Sequence, residues 1–276
     1  MEKVATSDVR SFWDQNPLCA TQIPHPLGSK EYFEYFDDLR ERIDSLVEAS
    51  VIHEFAAFGG KRGLEVGCGN GYVLSRYAQH GAEVDGVDIT PTAVDLCRQR
   101  FTHMNLAGAF READAEQLPF ADATFDCVCS MGVLHHVSDT ARAGAEIHRA
   151  LTPGGRLIVM FSHRNSAPYH VTLRLRAWTT SKTQRQLVNE FDGVGNPKGE
   201  AYTRAELTQL LGSFENPEMR VRFLERHMLL PKVGKFIPRF LLRPLEGIWG
   251  FILYAKGRKA ERAAEKEIVG GIGSVV

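Results

Sequence analysis

From Gly63 to Phe161, short apolar runs alternate with segments whose apolar residues recur every three or four positions. Short runs of this kind are strands buried on both faces, and the longer period is that of amphipathic helices. The reading gives a strand over Gly63 to Val66, a helix over Tyr72 to His80 and a second strand over Glu83 to Asp88. Thr90-Pro91, a capping hydroxyl followed by proline at the first helical position, opens the next helix. Further strands are predicted near Ala109 to Glu112 and Phe125 to Ser130, then a helix from Asp139 to Leu151. A turn at Thr152-Pro153-Gly154-Gly155 leads into a strand from Arg156 to Phe161. Strict alternation predicts a doubly wound α/β fold with a parallel sheet.

The flanks are less regular. Tyr32, Phe36, Leu39, Ile43, Leu46, Val47 and Val51 form one apolar stripe, read as a single amphipathic helix that ends at Gly59-Gly60. This is either a lid over a cleft or ordinary packing on the sheet. Ser162 to Glu200 is polar and aromatic, broken by Gly193, Gly195, Asn196 and Pro197, and long for a plain connection. Thr203-Arg204-Ala205-Glu206 is a capping box for another helix. Val221 to Leu224 and Phe251 to Tyr254 read as a hairpin-like strand pair at the sheet edge. The expected division is residues 1–58 as an amino-terminal helical cap, 59–161 as the ligand-binding core, 162–200 as a substrate-side insertion, and 201–276 as the rest of the sheet domain with a tail.

Composition narrows the class. With 276 residues, 43% hydrophobic and 24% charged, the chain is an ordinary folded protein, and its net charge of −1 gives no general attraction to nucleic acid. Five cysteines without a C-x-x-C spacing argue against zinc or redox chemistry, and no apolar run is long enough to span a bilayer. A soluble cytoplasmic protein without a metal is the expectation.

The most specific chemistry is Leu64-Glu65-Val66-Gly67-Cys68-Gly69-Asn70-Gly71, between the first strand and the first helix. Glycines at alternate positions let backbone approach a ligand with no side chain in the way. A dinucleotide site wants G-x-G-x-x-G, whereas here the spacing is G-x-G-x-G. Glu65 at the strand end would repel a pyrophosphate and suits a ligand with an ammonium group. Asp88 closes the second strand, where a carboxylate can accept from both hydroxyls of a ribose. Asp114, after the third strand, can accept from an adenine amine.

With LEVGCGNG, VDGVDIT, READAEQLPF, FDCVCSMGVLHHV and LTPGGRLIV, residues 63–161 resemble the class I S-adenosylmethionine (SAM)-dependent methyltransferases, particularly the ubiquinone-biosynthesis type. The resemblance implies a Rossmann-like seven-stranded sheet with an antiparallel last strand. It implies that SAM is held by Glu65, Gly67, Cys68, Gly69, Gly71, Asp88, Ile89, Asp114, Ala115, Ser130 and Met131. The outer zones are similar to a less characterised bacterial branch with an aromatic first helix and a Gly-Asn-Pro insertion, which assigns no substrate.

His135 and His136 follow the fourth strand, where a histidine can take a proton from the acceptor; His135 is the first choice. Either ring can instead only brace the following helix. Trp13, Tyr32, Phe33, Tyr35 and Phe36 can roof the site or merely pack. Tyr169, His170, Asp192 and Tyr202 are candidates for touching the acceptor. Lys232, Lys235, Arg239, Arg243, Lys256, Arg258 and Lys259 crowd the carboxy-terminal region, read first as a solvated edge and second as contact with an anionic, lipid-like partner. The expected activity is methyl transfer to a small molecule; a SAM sensor without turnover is the alternative, and a nicotinamide enzyme has the wrong glycine spacing.

Overall fold

The computed structural model describes residues 4–173, 177–178, 180–190, 193–229 and 238–261. Asp192, Lys232 and Lys235 lie outside these residues. Two helices precede the sheet domain's entry, α1 (Thr6–Gln15) and α2 (Lys30–Ile43), followed by α3 (Leu46–His53) and a short 3₁₀ turn, Phe55–Phe58. Then come β1 (Arg62–Val66), α4 (Tyr72–Gln79), β2 (Glu83–Asp88), α5 (Pro91–His103), β3 (Ala109–Glu112), β4 (Phe125–Met131), α6 (Thr140–Ala150) and β5 (Leu151–His163). The remainder holds α7 (Gln184–Asn189), β6 (Ala201–Tyr202), α8 (Arg204–Leu210), β7 (Phe214–Arg222), α9 (Arg226–Leu229), α10 (Arg243–Trp249) and β8 (Ile252–Lys259).

The sheet order is β3-β2-β1-β4-β5-β8-β7, with two-residue β6 beside the end of β5. Only β8 runs against its neighbours, pairing antiparallel with both β5 and β7. This is a doubly wound, Rossmann-like sheet with one antiparallel strand. Order reverses between β1 and β4, so the crevice beyond their carboxyl ends is where such sheets bind ligands. Buried side chains fall into two layers, one on each face. Leu74, Tyr77, Phe101 and Cys127 fill the layer beneath α2–α5, and Leu64, Val66, Ile147 and Leu253 fill the other. Cys127 and Cys129 share the first layer, as their alternation predicts, and burial pushes the Cys127 thiol up to about 12.

Three expectations change. The apolar stripe from Tyr32 to Val51 is two helices: Ser45 starts α3 in a reciprocal capping box with Glu48. The new helix turns Leu46, Val47 and Val51 outward and buries Ala49 and Ile52. The late strands do pair antiparallel at the sheet edge as expected, but α9 and α10 lie between them in the chain instead of a turn, and β8 sits inside β7. β7 also begins seven residues before the predicted Val221, at Phe214, because a bulge around Asn216 (φ +51°) disguises its alternation. Finally, the basic residues of β8 are not simply solvated. Lys256 is buried and donates to Glu54 at 2.6 Å, and Lys259 donates to the carbonyls of His148 and Leu151, each at 2.8 Å.

Glu54 also accepts from Arg156 of β5 at 2.8 and 3.1 Å, pinning the end of α3 to the sheet. Nearer the crevice, buried Arg100 of α5 donates to Asp37 of α2 at 2.7 Å and to the Asn70 carbonyl at 2.7 Å, with its guanidinium 4.7 Å from the Phe33 ring. One cation thus locks α2 onto the glycine turn.

Candidate active site

A cavity of about 380 Å³ opens at the β1/β4 crossover. Its floor is the turn leaving β1. Gly67, Gly69 and Gly71 have φ of +76°, +51° and +76°, the left-handed region that glycine enters without strain. Their surroundings differ. A Cβ on Gly67 would lie 2.2 Å from Val133 and one on Gly71 2.6 Å from the Cys97 sulfur, whereas one on Gly69 would meet only open space. Gly67 and Gly71 are therefore required by the protein's own packing, and Gly69 is the position where the backbone faces the cavity.

Acidic side chains ring that floor. Glu65, Asp88 and Asp114 all line the cavity. Glu65 accepts from the Leu74 amide in the first turn of α4 at 3.1 Å. Burial nevertheless pushes its carboxyl up to about 8, against the opposing pull of that amide and of Arg40. Asp88 accepts from Gly69 N at 3.1 Å and from Thr90 N and Oγ1, both at 3.0 Å, so it fixes the glycine turn as well as facing the cavity. Its carboxyl is also raised by burial, partly offset by those donors. Asp114 folds into a local turn by accepting from Glu116 N at 2.8 Å. Cys68, Ile89, Ala115 and Met131 complete the lining on this side.

The two histidines sit at the other end, their ring centroids 4.1 Å apart and both rings lining the cavity. Burial holds His135 well below the usual imidazole range, helped by the nearby charges of His136 and Lys198, so it is neutral at physiological pH. The Nδ1 of His136 donates to the Lys198 carbonyl at 2.6 Å. A carbonyl only accepts, so Nδ1 carries a proton in this contact. Lys198 in turn donates to the Val137 and Ser138 carbonyls, so the Gly-Asn-Pro insertion serves to brace the histidine segment. Trp13 of α1 meets the His136 ring edge-on at 4.9 Å.

Of the expected aromatic roof, Trp13, Tyr32 and Phe36 line the cavity, while Phe33 packs on Arg100 and Tyr35 on His25. Five candidates do not line it. Gly71 packs against Cys97. Ser130 is fully buried and donates to the Val66 carbonyl at 2.8 Å, tying β4 to β1. Tyr169 stacks behind the lining residue Phe251, with ring centroids 5.9 Å apart. Tyr202 lies behind Phe161 and donates to Glu200 at 2.8 Å. His170 is exposed on the turn Pro168–Thr172. Conversely, Arg40, Asn70, Met160, Phe223 and Phe251 line the cavity without having been singled out. Arg40 was hidden because a charge on an amphipathic helix ordinarily faces solvent, and Phe223 and Phe251 because β7 and β8 are distant in sequence from the glycine turn.

A doubly wound sheet with a glycine-floored, acid-ringed crevice at its switch point defines a nucleoside-binding domain of Rossmann-like kind. Residues 64–159 match the family described as a methyltransferase domain. It is 36% identical over 111 residues to the ubiquinone biosynthesis O-methyltransferase of Alkalilimnicola ehrlichii, covering 40% of this chain and 45% of that enzyme. The matched region spans about half the length of such curated relatives. Among solved structures, magnesium protoporphyrin IX methyltransferase of Synechocystis PCC 6803, with bound SAH, superposes with a TM-score of 0.61 at 15% identity, covering 93% of this chain and 100% of that one. A SAM-dependent methyltransferase of Methanosarcina mazei gives 0.57 at 23% identity, with 76% and 97% covered. These structural likenesses establish the fold.

The residues present suit SAM as the cofactor. Open space above Gly69 admits a ligand against bare backbone, and Glu65, Asp88 and Asp114, which line the same cavity as Arg40, supply the acceptors that an ammonium and a sugar require.

Proposed function

We propose that the chain is a SAM-dependent methyltransferase acting on a small, largely apolar acceptor. One observation carries the reading: a single cavity runs from the Gly69 backbone and the Glu65, Asp88 and Asp114 carboxylates to the His135–His136 pair. In this reading Glu65 accepts from the ammonium of the methionyl group, and Gly67, Cys68 and Gly69 form the cradle beneath it. Asp88 uses its remaining lone pairs for the ribose hydroxyls, while Asp114, Ala115 and Ile89 border the adenine. Met131, at the carboxyl end of β4, flanks the carboxypropyl chain. Gly71 and Ser130 act one layer back, shaping the turn and the strand pair.

SAM supplies a methyl group already activated on a sulfonium, so the protein's main work is to hold the acceptor atom in line and exclude water. Trp13, Tyr32 and Phe36 from α1 and α2, with Phe223 and Phe251 opposite, give the acceptor an apolar enclosure. Where the acceptor atom bears a proton, an imidazole of the pair takes it as the new bond to carbon forms. The neutral His135 ring is available throughout the physiological range, and the Lys198 carbonyl orients His136 for the same task. Tyr169 and Tyr202 support the acceptor wall through Phe251 and Phe161.

Incubation with methyl-labelled SAM and a panel of phenolic, thiol, amine and activated-carbon acceptors tests this. Labelled product that disappears with Asp88→Ala supports it; tight SAH binding with no transfer to any acceptor would instead favour a SAM-binding protein without turnover.

A further inference from the structure

We propose that Phe223 is a specificity-determining residue: a left-handed backbone turns its ring into the cavity, where it closes the acceptor end and limits the protein to compact aromatic acceptors. The proposal deepens the methyl-transfer reading and rests on it for the presence of an acceptor. Six non-glycine residues among those described have φ in the left-handed region. Glu54, Asn105, Ala123 and Asn216 do not line the cavity, whereas Cys19 (φ +61°) and Phe223 (φ +67°) do. For a bulky side chain this conformation is a costly outlier, and such strain persists only where the surrounding structure enforces it. Both backbone groups of Phe223 are held. Its amide donates to Glu246 of α10 at 2.8 Å, and its carbonyl accepts from the Phe251 amide at 2.9 Å. Glu246 also pairs with Arg222 at 3.5 Å, so one carboxylate grips two consecutive residues of the bend.

The strain decides which way the ring points. Along a strand, residues two apart share a face. Val221 of β7 is buried in the layer of Leu64, Val66 and Leu253, so an extended continuation would send Phe223 there as well. Phe223 instead packs against the opposite layer, that of Leu74, Tyr77 and Tyr254, and against the small cluster of Leu224, Met228 and Leu242. The left-handed turn thus carries an aromatic ring to the carboxyl end of β5, where Ser162 and its partner Ile252 line the same cavity. Beside it Phe251 is backed by Tyr169. Size follows from volume. About 380 Å³ is at the small end for a single ligand site, on the order of 300–1,000 Å³, yet this cavity must hold both SAM and an acceptor. The rings of Tyr32, Phe36, Phe223 and Phe251 border the apolar part, so the space left suits one planar ring rather than an extended or branched group.

Equilibrium dialysis of the full chain, saturated with SAH, against phenol, 2-naphthol and 4-phenylphenol tests the proposal. Wild type should bind 4-phenylphenol no more tightly than 2-naphthol. Phe223→Ala should bind 4-phenylphenol on the order of tenfold more tightly than wild type does, because the second ring now finds apolar cover, while phenol gains nothing. Phe223→Leu, which keeps more of the packing, should shift the ratio of 4-phenylphenol to phenol affinity in the same direction by less. Phe223→Gly should melt about 2–8 °C above Phe223→Ala, since glycine enters this φ without strain; at an unstrained position the order would be reversed. An unchanged ratio in both Phe223→Ala and Phe223→Leu overturns the proposal. So does a wild type that takes up none of the three or prefers 4-phenylphenol, or a Phe223→Gly that melts no higher than Phe223→Ala. A wild type that does not bind SAH at all fails the methyl-transfer reading, and this proposal with it; normal SAH binding with an unchanged ratio overturns this proposal alone.

Discussion

Glu65 gives a sharp test of how the site holds a zwitterionic ligand. In the free protein its carboxyl is pushed up to about 8 by burial, while Arg40 and Arg100 pull it down and Asp88 pushes it further up. A bound ammonium needs the ionised form, so below pH 8 SAH binding must expel this proton. At pH 6, about two units below the midpoint, expulsion costs about 3 kcal/mol, on the order of a hundredfold in affinity. Calorimetry of SAH at pH 6, 7 and 8, in buffers of differing ionisation enthalpy, should show release approaching one proton at pH 6 and affinity rising toward pH 8. Glu65→Gln keeps the acceptor for the Leu74 amide but has no proton to lose. It should bind more weakly at pH 8 and show a flat profile. The stability linkage has the opposite slope. A folded-state pKa above the ordinary 4.5 means that the folded protein retains this proton where the unfolded chain has lost it, so this contribution is fully present below about 4.5 and lost as pH rises through about 8. Glu65→Gln should therefore gain melting temperature relative to wild type at pH 8.5 but not at pH 4.5. Absence of proton release at pH 6, or its persistence in Glu65→Gln, would refute the placement of the ammonium.

Other perturbations follow from the same geometry. Asp88→Ala should weaken SAH by about 1.5–3 kcal/mol in calorimetry, the scale of hydrogen bonds to a charged group. The two neighbouring glycines should separate: Gly67→Ala, driven into Val133, should cost about 2–5 kcal/mol in urea melts. Gly69→Ala should cost only about 1–2 kcal/mol of backbone strain yet lose most SAH affinity. Should Gly69→Ala bind SAH normally, the ligand does not lie over that turn. Replacing either His135 or His136 by Ala should lower kcat/KM about a hundred- to ten-thousandfold on a proton-bearing acceptor with SAH affinity unchanged; full activity in both would remove the pair from the chemistry. Glu54→Gln, which deprives buried Arg156 and Lys256 of their shared partner, should destabilise by about 3 kcal/mol in urea melts without altering SAH affinity.

The sequence alone determined the local and the periodic. Strands β2 and β3 coincide with their predicted bounds, Thr90 caps α5 as read, and the glycine turn sits between β1 and α4. These features were legible because each depends on neighbours in the chain: apolar alternation, a capping hydroxyl, glycine where φ is positive. What required tertiary structure was every contact between distant segments. The break at Ser45 carries a local sign, the Ser45-x-x-Glu48 capping signature, but the apolar period continues across it and hides the turn between the two helices. Asn216-Pro217 conceals β7, since a bulge interrupts alternation while the pairing with β8 continues beyond it. Position in the motif suggested that Gly67, Gly69 and Gly71 are equivalent, yet Val133 and Cys97 make two of them structural and leave one facing the ligand space. Likewise, the insertion's polar composition suggested residues that touch substrate, whereas Lys198 uses its backbone carbonyl to orient His136. Local propensity is written in adjacent residues, but which side chain meets which is fixed only when burial brings remote segments together.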